Sequence, residues 1–143
     1  MAFETGTASN AADLFDKLVS FLTTNEDLVS AGEAWTEEWV APSGAVNTTA
    51  RVLVGAVSAG DAPKIGMRLV STPATAVHEI QFNGVTNILT SATLLTEHAN
   101  PSALVRVFAD SNPMTYWFSA SGRRFIIVVK ISTVFSADRK SVV

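Results

Sequence analysis

The sequence predicts an α+β fold, in which an N-terminal amphipathic helix is followed by an antiparallel β-sandwich or a barrel-like sheet. Two features predict it. Apolar residues first recur at helical spacing, and from about Ala34 they alternate with polar residues, as in strands. Turn residues such as Pro42-Ser43-Gly44 then divide the chain into about seven short strands, the pattern of a sandwich or barrel.

The helix is predicted over residues 10–24. Ser9 or Asn10 can serve as its N-cap, and Asp13 lies in the first turn, where a negative charge favours the helix dipole. Asn25 is predicted to be the N-cap of a second helical segment, whose first turn is acidic. The apolar face of the first helix consists of Leu14, Leu18, Phe21 and Leu22, widened by Phe15 and Val19.

Alternation along the rest of the chain predicts the strands. Trp35, Glu37 and Trp39 are expected to share one strand face. Asn83-Gly84 is a hairpin signal, because both central positions of a type I′ turn need positive φ. The segment 125–129 is apolar on both faces, so it is expected inside a sheet that the helix or a partner covers. Further strands are predicted at 51–57, 64–70, 78–82, 104–108 and 115–119, the last joined to 123–129 through a hairpin loop at 120–122.

The chain is expected to form one domain with two loose ends. Residues 1–8 are predicted to be an extended arm around Phe3, and residues 9–135 the α+β domain. Residues 136–143, which include Arg139 and Lys140, are predicted to be a mobile or partner-bound tail.

Composition excludes several classes of function. The chain has 143 residues and no cysteine, which excludes disulfide frameworks and thiolate metal sites. A net charge of -3 argues against a nucleic-acid partner. Neither a membrane-inserting segment nor a signal peptide is expected, so synthesis in a cytoplasm is predicted. Charged residues make up only 16% of the chain against about 25% in typical domains. This low fraction of charged residues predicts a surface that is partly covered by other subunits.

No catalytic, metal or cofactor site is predicted. The sequence has no G-x-S-x-G, no Walker loop and no H-E-x-x-H motif. His78 and Glu79 are adjacent, so on a strand their side chains point to opposite faces and cannot converge on one ion. A protein that is not an enzyme is therefore expected.

Aromatic and basic residues leave two alternatives open. Trp35, Trp39 and Trp117, with Tyr116, could form a carbohydrate-stacking platform, but their apolar-rich strands favour core positions. The pair Arg123-Arg124 follows a hairpin turn, where it could bind an acidic partner or protect a strand edge.

Several stretches together carry a resemblance. They are Met1–Ala8, the helix end Phe21–Asn25, Ile65–Arg68, and Tyr116–Ile126 continuing to Lys130–Phe135. The sequence resembles a family of virion structural proteins that are encoded among the tail and baseplate genes of tailed bacteriophages. It is similar to a short member of that family, since longer relatives continue past the last of these stretches.

The resemblance implies a structural part of a virion, made in the host cytoplasm and placed in the tail or baseplate. Such a part is expected to pack around the tail tube, the sheath or other baseplate subunits, as a homo-oligomer with threefold or sixfold symmetry. A head–tail connector or tail terminator, a capsid decoration protein and a glycan-binding receptor module are the alternatives. The candidate interface residues are Phe3, Trp35, Trp39, Arg123, Arg124, Arg139 and Lys140.

Overall fold

The computed structural model describes residues 1–57, 60–72 and 77–131. These residues form mixed helix and sheet, as the sequence predicts. In chain order the elements are β1 (Ala2–Ala8), α1 (Ala11–Thr24), α2 (Glu26–Ser30), β2 (Thr36–Val40), β3 (Arg51–Val54), β4 (Lys64–Thr72), β5 (Val77–Gly84), β6 (Val105–Phe108), β7 (Met114–Ala120) and β8 (Phe125–Lys130).

The strands form two antiparallel sheets. The smaller has three strands in the order β1-β7-β8, and the larger has five in the order β2-β3-β4-β5-β6. The predicted order, with the helix as the first element, is wrong because strand β1 precedes α1. Residues 2–8 are extended, as expected of an arm, but they pair with β7 from Ala2↔Ala120 to Ala8↔Met114. This pairing gives the arm's backbone groups hydrogen-bonding partners within the chain itself.

Helix α1 matches its prediction. The Asn10 side chain accepts a hydrogen bond from the Asp13 backbone N–H at 2.9 Å, which satisfies a free donor of the first turn. The predicted second cap also forms, because the Asn25 side chain accepts from the Asp27 N–H at 3.0 Å. The buried residues of α1 are Ala11, Leu14, Phe15, Leu18, Phe21 and Leu22, which contain most of the predicted apolar face.

One core joins α1 to the inner faces of both sheets. Phe21 of α1 lies 5.6 Å from Phe118 of β7, measured between ring centroids. The Arg51 guanidinium of the larger sheet lies 5.1 Å from the centroid of Phe15. A smaller cluster packs on the opposite face of the five-stranded sheet and consists of Trp39, Ala41, Ala50, Val52, Val85, Ala92 and Leu95.

A β-bulge in β2 overturns the prediction that Trp35 and Trp39 share a face. Glu37 pairs with Leu53 and Trp39 with Val52, so one extra residue lies between these two pairs. The extra residue reverses the alternation. Trp35 consequently lies in the main core with Leu53, whereas Trp39 lies in the smaller cluster beyond the sheet.

The hairpin predicted at Asn83-Gly84 is also wrong. Both residues lie within β5, where Asn83 pairs with Gly66 and Gly84 with Ile65. Sheet pairing overrides the local turn preference here, because β4 offers a partner for the full length of β5.

Gly122 lies at a close backbone approach between the two sheets. A Cβ on Gly122 would overlap the carbonyl oxygen of Ala56, which follows β3. We expect Gly122→Ala to lower the free energy of unfolding by about 1–3 kcal/mol, since the backbones must separate to admit the methyl group. The control is Gly84→Ala, whose Cβ would meet only Ser102 Oγ at 3.8 Å. Urea unfolding of both variants measures the difference, and equal stabilities would contradict the prediction.

Candidate functional site

The outer face of the three-stranded sheet is exposed and apolar. Antiparallel register places Phe3, Ser119 and Ile126 in one row across the sheet. The next row holds Thr5, Trp117 and Val128, and the third holds Thr7, Thr115 and Lys130. We use the name outer face for the four large apolar residues Phe3, Trp117, Ile126 and Val128.

The outer face leaves large apolar side chains in solvent. Phe3 is 60% exposed, Ile126 52%, Val128 38% and Trp117 36%. Lys130 is the only charged residue in the three rows and stands at their end. A contiguous apolar patch with a polar rim is typical of a protein interaction site. The arrangement can bind another protein surface.

Along β7 and β8, residues of the outer face alternate with residues whose side chains point toward the core. Along β7, Met114, Tyr116, Phe118 and Ala120 are buried, whereas Trp117 between them points outward. In β8, Phe125 and Ile127 pack toward the core. The prediction that 125–129 lies inside a sheet is wrong for the described part of the chain, because β8 is at the sheet edge with β7 as its neighbour there.

The predicted interface residues do not form one surface. Phe3 belongs to the outer face, but Trp35 and Trp39 are 2% and 6% exposed. Arg123 and Arg124 are exposed at the β7–β8 turn. The remaining two predicted residues, Arg139 and Lys140, lie outside the described residues.

Three residues of the outer face were absent from the predicted interface. Ile126 and Val128 were assigned to a covered sheet, and Trp117 was considered only as part of a carbohydrate platform. The signal that could have found Ile126 and Val128 was the doubly apolar strand itself, since its second face needs either a layer of this chain or another chain.

The aromatic residues do not assemble the carbohydrate platform. Trp35 and Trp39 lie on opposite faces of the larger sheet, and Tyr116 is 4% exposed. Among these four candidates, Trp117 is the one that presents a substantial surface to solvent.

The two histidines occupy separate environments. His78 Nδ1 lies 2.8 Å from Ser71 Oγ. His98 packs edge-on against Trp39 with ring centroids 4.5 Å apart, and its Nδ1 accepts from the Leu89 N–H at 3.0 Å. Burial lowers the pKa of His98, so its neutral form is favoured. Within residues 1–57, 60–72 and 77–131, no three His, Asp or Glu side chains converge on a possible metal position.

Tyr116 couples β1 to β7 behind the outer face. Its hydroxyl donates to Glu4 Oε1 at 2.9 Å. Burial, the hydrogen bond to Glu4 and the charge of Glu4 together raise the pKa of Tyr116 to about 12.

The Tyr116 titration is directly measurable, because the chain has one tyrosine. We expect its tyrosinate absorbance to appear with a midpoint at a pH of about 12 rather than at the usual tyrosine pKa of 10.0. Since the unfolded chain ionises first, stability should fall as the pH rises from the unfolded pKa to the folded one. Glu4→Gln should lower the midpoint, whereas Glu26→Gln, on the exposed side of α2, should not. An ordinary midpoint in the folded protein would contradict this account of Tyr116.

No helix in the described part of the chain combines the length and hydrophobicity that crossing a membrane requires. No protein-family model matches the sequence, and no curated protein matches it significantly.

Proposed function

We propose that this chain is a non-enzymatic structural component of a tailed-bacteriophage virion, placed in the tail or baseplate. In this proposal the two sheets act as a rigid β-sandwich block that packs around the tail tube or sheath. Copies associate through the outer face as a threefold or sixfold homo-oligomer. The outer face is the single observation that carries the proposal.

Energetics support packing through this face. Burying apolar surface contributes about 25 cal/mol per Å², so covering four large, partly exposed side chains contributes several kcal/mol before the costs of association. The exposed parts of Phe3 and Ile126 are the largest on this face. The low content of charged residues supports the same proposal, since the cores of protein interfaces are depleted in charged residues.

The proposed threefold or sixfold symmetry requires each copy to contact its neighbour through two different surfaces. The outer face lies on one side of the fold, and the larger sheet lies across the core from it. A contact between the outer face and a different surface of the next copy is heterologous, and repeated heterologous contacts form a ring when the rotation between neighbouring copies closes. Rings of three or six match the symmetry expected in a phage tail.

Protein composition of purified particles tests the proposal. If the chain is a baseplate or neck component, quantitative mass spectrometry should find about six to a few dozen copies per particle, in multiples of three or six. Hundreds of copies would favour the capsid decoration alternative or a coat along the whole tail. Absence of the chain from purified particles would contradict a virion function.

A further inference from the structure

An apolar groove separates the β7–β8 turn from the inner face of the larger sheet. Its volume is about 380 Å³, within the range of about 300–1,000 Å³ that ligand sites occupy. Phe125 and Ile127 of β8 form one wall, and Val105 and Val107 of β6 form another. The floor and the mouth are formed by Trp35, Ile65, Phe82, Arg123 and Arg124.

The floor of the groove is held in place by specific contacts. The Trp35 Nε1–H donates to the Ser121 carbonyl oxygen at 2.8 Å, which ties the indole to the β7–β8 turn. The Phe125 ring lies 5.5 Å from Trp35 and 5.6 Å from Phe82, measured between centroids. A site with its aromatic rings already in position loses little conformational entropy when it is occupied.

The mouth of the groove carries two positive charges that lack a carboxylate partner in the described part of the chain. Two other arginines have carboxylate partners. Arg51 Nη1 lies 3.0 Å from Glu37 Oε2, and Arg106 Nε lies 3.9 Å from Glu79 Oε1. Arg123 and Arg124 are exposed and have no such ion pair among the described residues. Two guanidinium groups beside an apolar floor complement a ligand that combines carboxylates with an apolar side chain.

The strands beside the groove favour an extended ligand. Within the described residues, β6 and β8 are edge strands, each with one strand neighbour. The outward side of an edge strand carries free N–H and C=O groups, which can pair with an extended peptide. A peptide beside β6 or β8 could place alternate side chains on the groove floor.

We propose that this groove binds an extended acidic segment of another polypeptide. One large apolar side chain of that segment packs on the exposed parts of Ile65, Val105 and Phe125. Its flanking carboxylates pair with Arg123 and Arg124. The inference is independent of the proposed function, because Phe125 and Ile127 face the core side while the outer face points away from it.

NMR titration of the isolated chain tests this proposal with three synthetic peptides. The probe is acetyl-Glu-Asp-Phe-Glu-Asp-amide, and the controls replace Phe with Ala or all four acidic residues with Lys. The acidic Phe peptide should shift the Trp35 indole and Ile127 amide signals at millimolar or lower concentration. Both controls should bind at least about tenfold more weakly, as the loss of an anchor or of charge pairing predicts.

Charge-reversal variants locate the binding. Arg123→Glu and Arg124→Glu should each weaken binding of the acidic peptide by about threefold to tenfold, as expected for charge pairs at the rim of a binding site. Lys17→Glu reverses a charge on α1, which contributes no residue to the groove, and should leave the affinity unchanged. Equal binding of the acidic and basic peptides, or no shift at the groove, would overturn the proposal. Groove binding by sodium decanoate without binding of the peptide would also overturn it, in favour of a small anionic amphiphile.

Discussion

Phe118→Ala is expected to lower the free energy of unfolding by about 3–5 kcal/mol. The Phe118 side chain is fully buried, and its ring lies 5.6 Å from Phe21 of α1 and 4.3 Å from Tyr116. Truncation removes apolar contacts with the helix and leaves a cavity between α1 and the smaller sheet. Chemical denaturation followed by circular dichroism measures the loss.

The neighbouring residue provides a matched control. Trp117 precedes Phe118 on the same strand, but its side chain points to the outer face. Trp117→Thr introduces a β-branched residue that suits a strand and should cost about 1 kcal/mol, the scale of a lost cross-strand contact with Val128. Similar losses for the two variants would mean that the inner and outer faces of β7 are assigned incorrectly.

Ile126→Glu should abolish self-association while leaving the fold intact. Ile126 is 52% exposed, so a carboxylate is tolerated in the monomer. In an assembly the same carboxylate would be buried without a partner, which costs about 3 kcal/mol or more and weakens association at least about 100-fold. Sedimentation velocity over a range of protein concentrations measures the effect.

Val46→Glu is the control for that experiment. Val46 is 91% exposed and lies in the loop between β2 and β3, away from the outer face. Its variant should associate like the wild type. If Ile126→Glu associates normally, or if both variants lose association equally, the outer face is not the contact surface.

Local patterns made much of the fold predictable. The Asn10 cap and the spacing of Leu14, Leu18 and Phe21 depend on neighbours within a few residues, and α1 follows them. The β7–β8 hairpin was predictable for the same reason, because its strands are joined by a short turn at 121–124. In each case the determining contacts are close in sequence.

Features that depend on distant pairing were not predictable. The pairing of β1 with β7 joins residues more than a hundred positions apart, and nothing within residues 1–8 specifies it. The bulge at Glu37 and Glu38 arises from pairing with β3, and it moved Trp39 to the far side of the sheet. Asn83 remained in a strand because β4 extends alongside it.

The candidate site was predictable only in part. Phe3 was recognised as an exposed aromatic residue that could bind a neighbour. Ile126 and Val128 were recognised as an unusual second apolar face, but alternation alone does not tell whether another layer of the same chain covers it. The side-chain exposures decide that question, since Ile126 is 52% and Val128 38% exposed in the described part of the chain.

Covering of the outer face by other copies can be measured with a single introduced cysteine, because the chain has none of its own. Ser119 lies between Phe3 and Ile126 in the sheet register, so Ser119→Cys places a thiol within the outer face. Ser43→Cys, in the exposed loop after β2, is the reference. We predict that maleimide labelling of Ser119→Cys slows at least about tenfold between dilute and concentrated protein, as burial in an assembly requires, while Ser43→Cys labels at one rate. Equal labelling of Ser119→Cys at both concentrations, in a chain that remains monomeric, would contradict the account.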